Sequence, residues 1–181
     1  MTAINRTRIT LKRTVVHLLT VVFAAALATG CSGIRLIADY DEKIDQGVTD
    51  IQKKTEAILT KIEKSSKNPA NSYAAKDYSD IKEDLNVLIT RASSVEKNEI
   101  TVKQLYTLGY SLLESPPVAS DDLNVPKSSP DYSVEARHKQ AEPLDAEVMS
   151  SLRKTLGLSF RAVLKLELAK KRGTSQSSDS K

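Results

Sequence analysis

Very few side chains in this chain could start covalent or metal chemistry. There is one cysteine, Cys31, and there are two histidines, His17 and His138. A thiolate is the strongest side-chain nucleophile for taking up an alkyl group, so Cys31 is the first candidate. It follows Leu27-Ala28-Thr29-Gly30 and precedes Ser32, at the end of an apolar run. If Cys31 is consumed, no thiol remains for a disulfide or a zinc site. His138 would then need carboxylates as co-ligands, a poor donor set for tight zinc binding, and it is expected to be a solvated loop residue. Asp121-Asp122 could attract a hard cation, but neither a spaced run of oxygen ligands nor a turn glycine surrounds the pair. Glu42 with Asp45, and Glu83 with Asp84, fall on polar helix faces, whereas acid–base work needs a carboxyl held in a cleft. Neither a Gly-rich phosphate loop nor a nucleophilic serine elbow is present. The reading is therefore non-enzymatic, with no catalytic residue, no cofactor and no metal.

The elements around Cys31 have a clear order. Arg6, Arg8, Lys12 and Arg13 are the only charges in the first 33 residues, and Thr14 to Ile34 is uncharged. The centre, Val15 to Leu27, is apolar, and Ala28, Thr29 and Gly30 are small. Basic, apolar, then small is the order of a secretory signal. With the cysteine straight after it, the stretch Leu27-Ala28-Thr29-Gly30-Cys31-Ser32 resembles the lipobox of bacterial lipoprotein precursors. It departs from that pattern at Ala28, where Leu is usual. The resemblance implies cleavage after residue 30, a diacylglycerol on the Cys31 sulfur, and attachment of the remaining chain to a membrane. Ser32 in place of Asp after the cysteine implies outer-membrane delivery, facing the periplasm, in a Gram-negative cell. The rival is an uncleaved single-pass helix, since about 20 apolar residues span a bilayer. Against it, the last third of the run is Ala, Thr, Gly, Cys and Ser.

Removing the signal changes the charge. The whole chain has 27 basic and 23 acidic residues, and residues 1–30 hold four of the bases and none of the acids, which leaves 23 of each. The basic character thus belongs to the signal, and a nucleic-acid partner is not expected. The remaining 151 residues suffice for one domain with its own core. With two Phe and no Trp in the chain, that core is aliphatic.

Apolar spacings of three and four predict helices. Residues 31–36 read as a lipidated tether. The first helix runs from about Ile37 to Lys64, with Ile37, Tyr40, Ile44, Val48, Ile51, Thr55, Ile58 and Ile62 inward. The second runs from about Ser72 to Lys97 on Tyr78, Ile81, Leu85, Leu88, Ala92 and Val95. A shorter third helix opens with Thr101 and Gln104 as a capping box and ends near Glu114, with Leu105, Leu108 and Leu112 inward. Residues 115–143, rich in Pro, Ser and Asp, are expected to form a flexible loop. A fourth helix covers about Leu144 to Arg172 on Val148, Met149, Leu152, Leu156, Phe160, Val163 and Leu166. Gly173 is its expected C-cap, and 173–181 is expected to be a disordered tail. Gly47, Gly109 and Gly157 sit inside helical patterns and suggest close helix approach, with a kink as the alternative. The fold class is all-α: an antiparallel bundle of three long helices and one shorter one, spanning 37–172. Three phrases, Ile51 to Glu56, Lys97 to Val102 and Leu164 to Lys171, resemble an uncharacterised group of small all-helical bacterial proteins. That likeness implies the fold and no activity.

One surface feature stands out. Lys154, Arg161, Lys165 and Arg172 fall within about 40° on the fourth helix, a basic line about 27 Å long at 1.5 Å per residue, flanked by Leu158 and Leu168. It is a candidate contact for an anionic surface such as headgroups, an envelope polymer or an acidic protein; the alternatives are an ordinary solvated face and a side covered by a partner helix. The expected function is a membrane-anchored structural or interaction module at the cell envelope, with a partner the sequence does not name. The rival in another class is a small-ligand carrier with a pocket between helices, which requires an enclosed apolar cavity.

Overall fold

The computed structural model describes residues 37–125, 130–141 and 143–178. The described helices belong to one compact unit that begins at Ile37. All regular structure among these residues is helical: α1 (Glu42–Lys64), α2 (Ala75–Ser93), α3 (Glu99–Leu112), α4 (Val134–Lys139) and α5 (Ala146–Ser178), with short 3-10 turns at Pro69–Ser72, Asp121–Leu123 and Pro130–Tyr132. No described helix is long and apolar enough to cross a membrane. Cys31 and the expected signal and tether lie outside the described residues.

Helix α1 starts where Asp41 can cap it. The Asp41 backbone is extended and its carboxylate accepts the Lys43 amide at 2.9 Å, which satisfies one of the orphan donors of the first turn. Glu42 and Asp45 then occupy the first turn, and Lys61 and Lys64 the last, each at the dipole end that favours its charge. This cap leaves Ile37 and Tyr40 ahead of the helix. Ile37 is 39% exposed, so the inward stripe starts at Ile44. Helix α2 is shorter than its periodicity suggests. A 3-10 turn precedes it, and Lys97 closes the region that follows in a left-handed conformation, φ 62°. Val95 falls outside the helix and is exposed.

The expected capping box at Thr101 and Gln104 is not formed. Asn98 occupies the N-cap position of α3, and Thr101 is buried within the helix, where its hydroxyl reaches α5. A tertiary partner outbids the local one.

Residues 115–143 hold α4 and two 3-10 turns where they are described. In the described part, Ala119, Val125, Val134 and His138 are buried, and Ser133 caps α4 by accepting the Ala136 amide at 3.2 Å. Proline and serine here build tight turns that bring a few apolar groups to the core. Gly173 has no positive φ, so it cannot act as a left-handed cap, and α5 runs on to Ser178. Residues 179–181 of the expected tail lie outside the described residues.

The core is aliphatic. Ile44, Val48, Ile51, Leu59 and Ile62 from α1, Ile81 and Leu85 from α2, Leu105 and Leu108 from α3, and Phe160 and Val163 from α5 pack in one cluster. α1 packs on α2 and α5, and α3 packs on the same two helices. Of the four helical glycines among the described residues, Gly47 alone meets a neighbouring helix so closely that a Cβ would lie 2.6 Å from Leu88 Cδ2. Gly109 would make ordinary contact with Pro117 at 3.4 Å, and Gly157 would meet only Arg161 of its own helix, at 3.6 Å.

Candidate functional site

Helix α5 presents two opposed faces. Met149, Leu156, Phe160 and Val163 point into the core, as the 3.6-residue period requires. Lys154, Arg161, Lys165 and Arg172 are all exposed on the outer side. Leu158 is 58% exposed and Leu168 44%, and Ala162 and Ala169 are exposed with them. Arg161 Nε donates to the Gly157 carbonyl at 2.9 Å, which lays its guanidinium along the helix. The structure therefore places the four basic residues on one surface line, alternating with apolar side chains.

The inward face carries two charges that the apolar stripe does not announce. Glu167 is fully buried and Lys170 is 3% exposed. Lys170 Nζ donates to Glu167 Oε1 at 2.6 Å, to Asn98 Oδ1 at 2.6 Å and to Thr101 Oγ1 at 2.8 Å. Thr101 in turn donates to Glu167 Oε1 at 3.0 Å, and the Asp41 amide donates to Glu167 Oε2 at 3.4 Å. Asn98 also bridges back to α2 through its Nδ2 on the Ala92 carbonyl, 3.0 Å. A buried ion pair is tolerated when such bonds replace water on both partners. This knot joins the start of α1, the end of α2, the start of α3 and the last turns of α5. Arg91 closes it from outside by donating to Asp41 Oδ2 at 2.6 Å. Burial works to raise the Asp41 pKa, but the Arg91 and Lys43 hydrogen bonds win and hold that carboxyl below its usual range.

A second polar cluster gathers around His138, which is fully buried and not a solvated loop residue. Tyr78 Oη lies 2.8 Å from His138 Nδ1, and Ser72 Oγ lies 2.9 Å from Nε2. Tyr73 stacks on Tyr78 with ring centroids 5.6 Å apart, and its hydroxyl donates to Glu135 at 3.0 Å. Lys139 pairs with Glu114 and, at 3.2 Å, with Glu135. Burial lowers the His138 pKa, so the imidazole is neutral near pH 7, one nitrogen donating and the other accepting. Burial also raises the Tyr78 pKa. The Ser72 hydroxyl, 3.0 Å from the Pro69 carbonyl, sits in a turn that the imidazole packs against. The arrangement ties α4 to the turn at Pro69–Ser72.

The described clefts are open and bordered by charge. One of about 360 Å³ is lined by Glu63, Ser66, Leu144, Met149 and Arg153. Another of about 480 Å³ lies between Gly47, Asp50, Lys53, Lys54, Asp84 and Leu88. Among the described residues no group of three or more His, Cys, Asp or Glu side chains is placed to hold a metal ion. Asp121 is exposed, and Glu42, Asp45, Glu83 and Asp84 lie outside the buried core.

The residues that periodicity missed were Glu167, Lys170, Asn98, Thr101 and His138. For two of them a signal existed: extending the stripe from Phe160 and Val163 by four and seven residues lands on Glu167 and Lys170. Comparison of the chain with protein-family models, with curated proteins and with solved structures returns no match.

Proposed function

We propose that this protein is an exported lipoprotein, held at the cell envelope by acyl chains on Cys31, and that its helices form an antiparallel bundle acting as a non-enzymatic interaction module. The observation that carries the reading is the placement of the sole cysteine. Cys31 directly follows a basic, then apolar, then small-residue leader, and lies six residues before the folded body begins at Ile37. A thiol there can be alkylated without disturbing the core. Two or more acyl chains make such attachment lasting, since each buried methylene contributes about 0.8 kcal/mol.

The antiparallel reading is supported by the cross-helix pairs. Lys54 pairs with Asp84 at 2.6 Å, Lys61 with Asp77 at 2.6 Å and Arg91 with Asp41 at 2.6 Å, so numbers rise on α1 as they fall on α2. The same inversion relates α1 to α5 through Glu63–Arg153 and Asp41–Glu167. It relates α3 to α5 through Thr101–Glu167 and Asn98–Lys170. The clefts among the described residues at Glu63–Arg153 and at Gly47–Leu88 are open and bordered by charge rather than enclosed and apolar, which favours surface contact over carriage of a small molecule.

The test is Cys31→Ser in the full chain. The wild type should fractionate with membranes and carry a mass increment for acyl chains at a new N-terminal cysteine. The variant should lose that increment and leave the membrane fraction. A variant that stays membrane-bound at the wild-type size would establish an uncleaved spanning helix instead.

A further inference from the structure

We infer that the outer face of α5 rests on anionic phospholipid headgroups of the same membrane that holds Cys31; this rests on the lipoprotein reading above. The first support is the composition of the face. Lys154, Arg161, Lys165 and Arg172 share it with Leu158 and Leu168, which leave 58% and 44% of their surface uncovered. Water rewards the cations and penalises the leucines. A headgroup layer takes both, the cations at phosphates and the leucines at the acyl boundary.

The second support is the contrast with the cations that lie between helices. Lys54, Lys61, Arg91 and Arg153 each meet a carboxylate of a neighbouring helix. Lys154, Arg161 and Lys165 have no ion-pair partner among the described residues. Seven residues before Lys154 the same line meets Glu147, also exposed, so the positive strip stops there.

The third support is where the chain leaves the folded body. The Asp41 amide contacts Glu167, and Lys171 Nζ lies 5.1 Å from the centroid of the Tyr40 ring. Residues 37–41 therefore depart beside the last turns of α5, at the Arg172 end of the basic line. Five residues, 32–36, separate Ile37 from Cys31, a span of at most about 20 Å. A tether that short keeps the end of α5 close to the bilayer and turns a weak electrostatic contact into an intramolecular one. An acidic protein would satisfy the cations equally well, but the tether supplies headgroups to this end of the molecule continuously.

The experiment uses the native, full, lipidated protein reconstituted into vesicles of phosphatidylcholine alone or of equal parts phosphatidylcholine and phosphatidylglycerol. A brief pulse of a water-soluble amine-acylating reagent is followed by mass spectrometry of each lysine. Lys154 and Lys165 should be labelled several-fold more slowly in the mixed vesicles, and the difference should vanish at about 1 M salt, where the Debye length falls to about 3 Å. Lys76 on α2 should be labelled equally in both. The variant Arg161→Glu with Arg172→Glu keeps both reporter lysines and should abolish their protection. Equal labelling of Lys154 and Lys165 in the two vesicle types overturns the inference. So does protection seen only in whole cell envelopes, which would mark a protein occupant. The intact mass of the same preparation reports separately on Cys31. An acylated chain with equal labelling sinks this inference alone, whereas an unmodified chain sinks the lipoprotein reading beneath it.

Discussion

Lys165 and Lys170 stand five residues apart on one helix and have opposite fates. Lys165 is exposed on the outer face of α5, while Lys170 is sealed at the core with Glu167, Asn98 and Thr101 around its ammonium. Five residues turn the helix by about 140°, enough to move a side chain from solvent to the interior. The comparison teaches that charge alone does not assign a residue to the surface. Position on the helix does, and the neighbours then either satisfy the charge or leave it to water.

The comparison breaks most sharply at Lys170. Lys170→Met leaves the Glu167 carboxylate buried without its cation, and stability should fall by about 3–5 kcal/mol, read as a lower urea midpoint. Replacing both partners, Glu167→Leu with Lys170→Met, should recover most of that loss, because the desolvation of two ions disappears together. A double variant as unstable as the single one would mean that the knot itself, rather than the stranded charge, holds the helix ends.

An intermediate effect belongs to the other buried cluster. The His138 pKa in the folded protein lies below its ordinary value of 6.5. Well above pH 6.5 the group is neutral in both states and contributes no pH dependence. Below it the unfolded chain binds a proton that the folded chain refuses, so the unfolded state gains and stability falls with pH. The slope is at most about 1.4 kcal/mol per pH unit, and it ends at the folded pKa. Urea midpoints at pH 7.5 and pH 5.5 should show this loss in the wild type, and His138→Gln should remove the share that titrates in that window.

The smallest effect is expected on the outer face. Lys154→Gln and Lys165→Gln should each shift stability by no more than about 0.5 kcal/mol, with unchanged unfolding midpoints as the check. Either variant behaving like Lys170→Met would show that the outer line is part of the fold.

Much of α1, α2 and α5 was legible as a stripe, because Ile44, Val48, Ile51 and Ile62, or Met149, Leu156, Phe160 and Val163, recur at a period fixed by backbone geometry. Their ends were less legible. Asp41 as a cap competes with two apolar residues before it, and Thr101 reads as a local cap until Glu167 accepts its hydroxyl at 3.0 Å. Of the candidate surface, Lys154, Arg161, Lys165 and Arg172 could be placed on one line by counting, since exposure on a helix follows from the face opposite the stripe. His138 could not, because its burial depends on Tyr78 and Ser72, which are 60 and 66 residues away in the chain.

The sequence by itself determined the helical class and the apolar faces, both of which rest on relations between residues a few positions apart. Only the tertiary structure decided which polar groups go inside and who meets them: Lys170 with Asn98 and Thr101, and His138 with Tyr78. The reason is that periodicity is a local property of the backbone. A buried charge survives only through partners that the folded chain brings from far along its length.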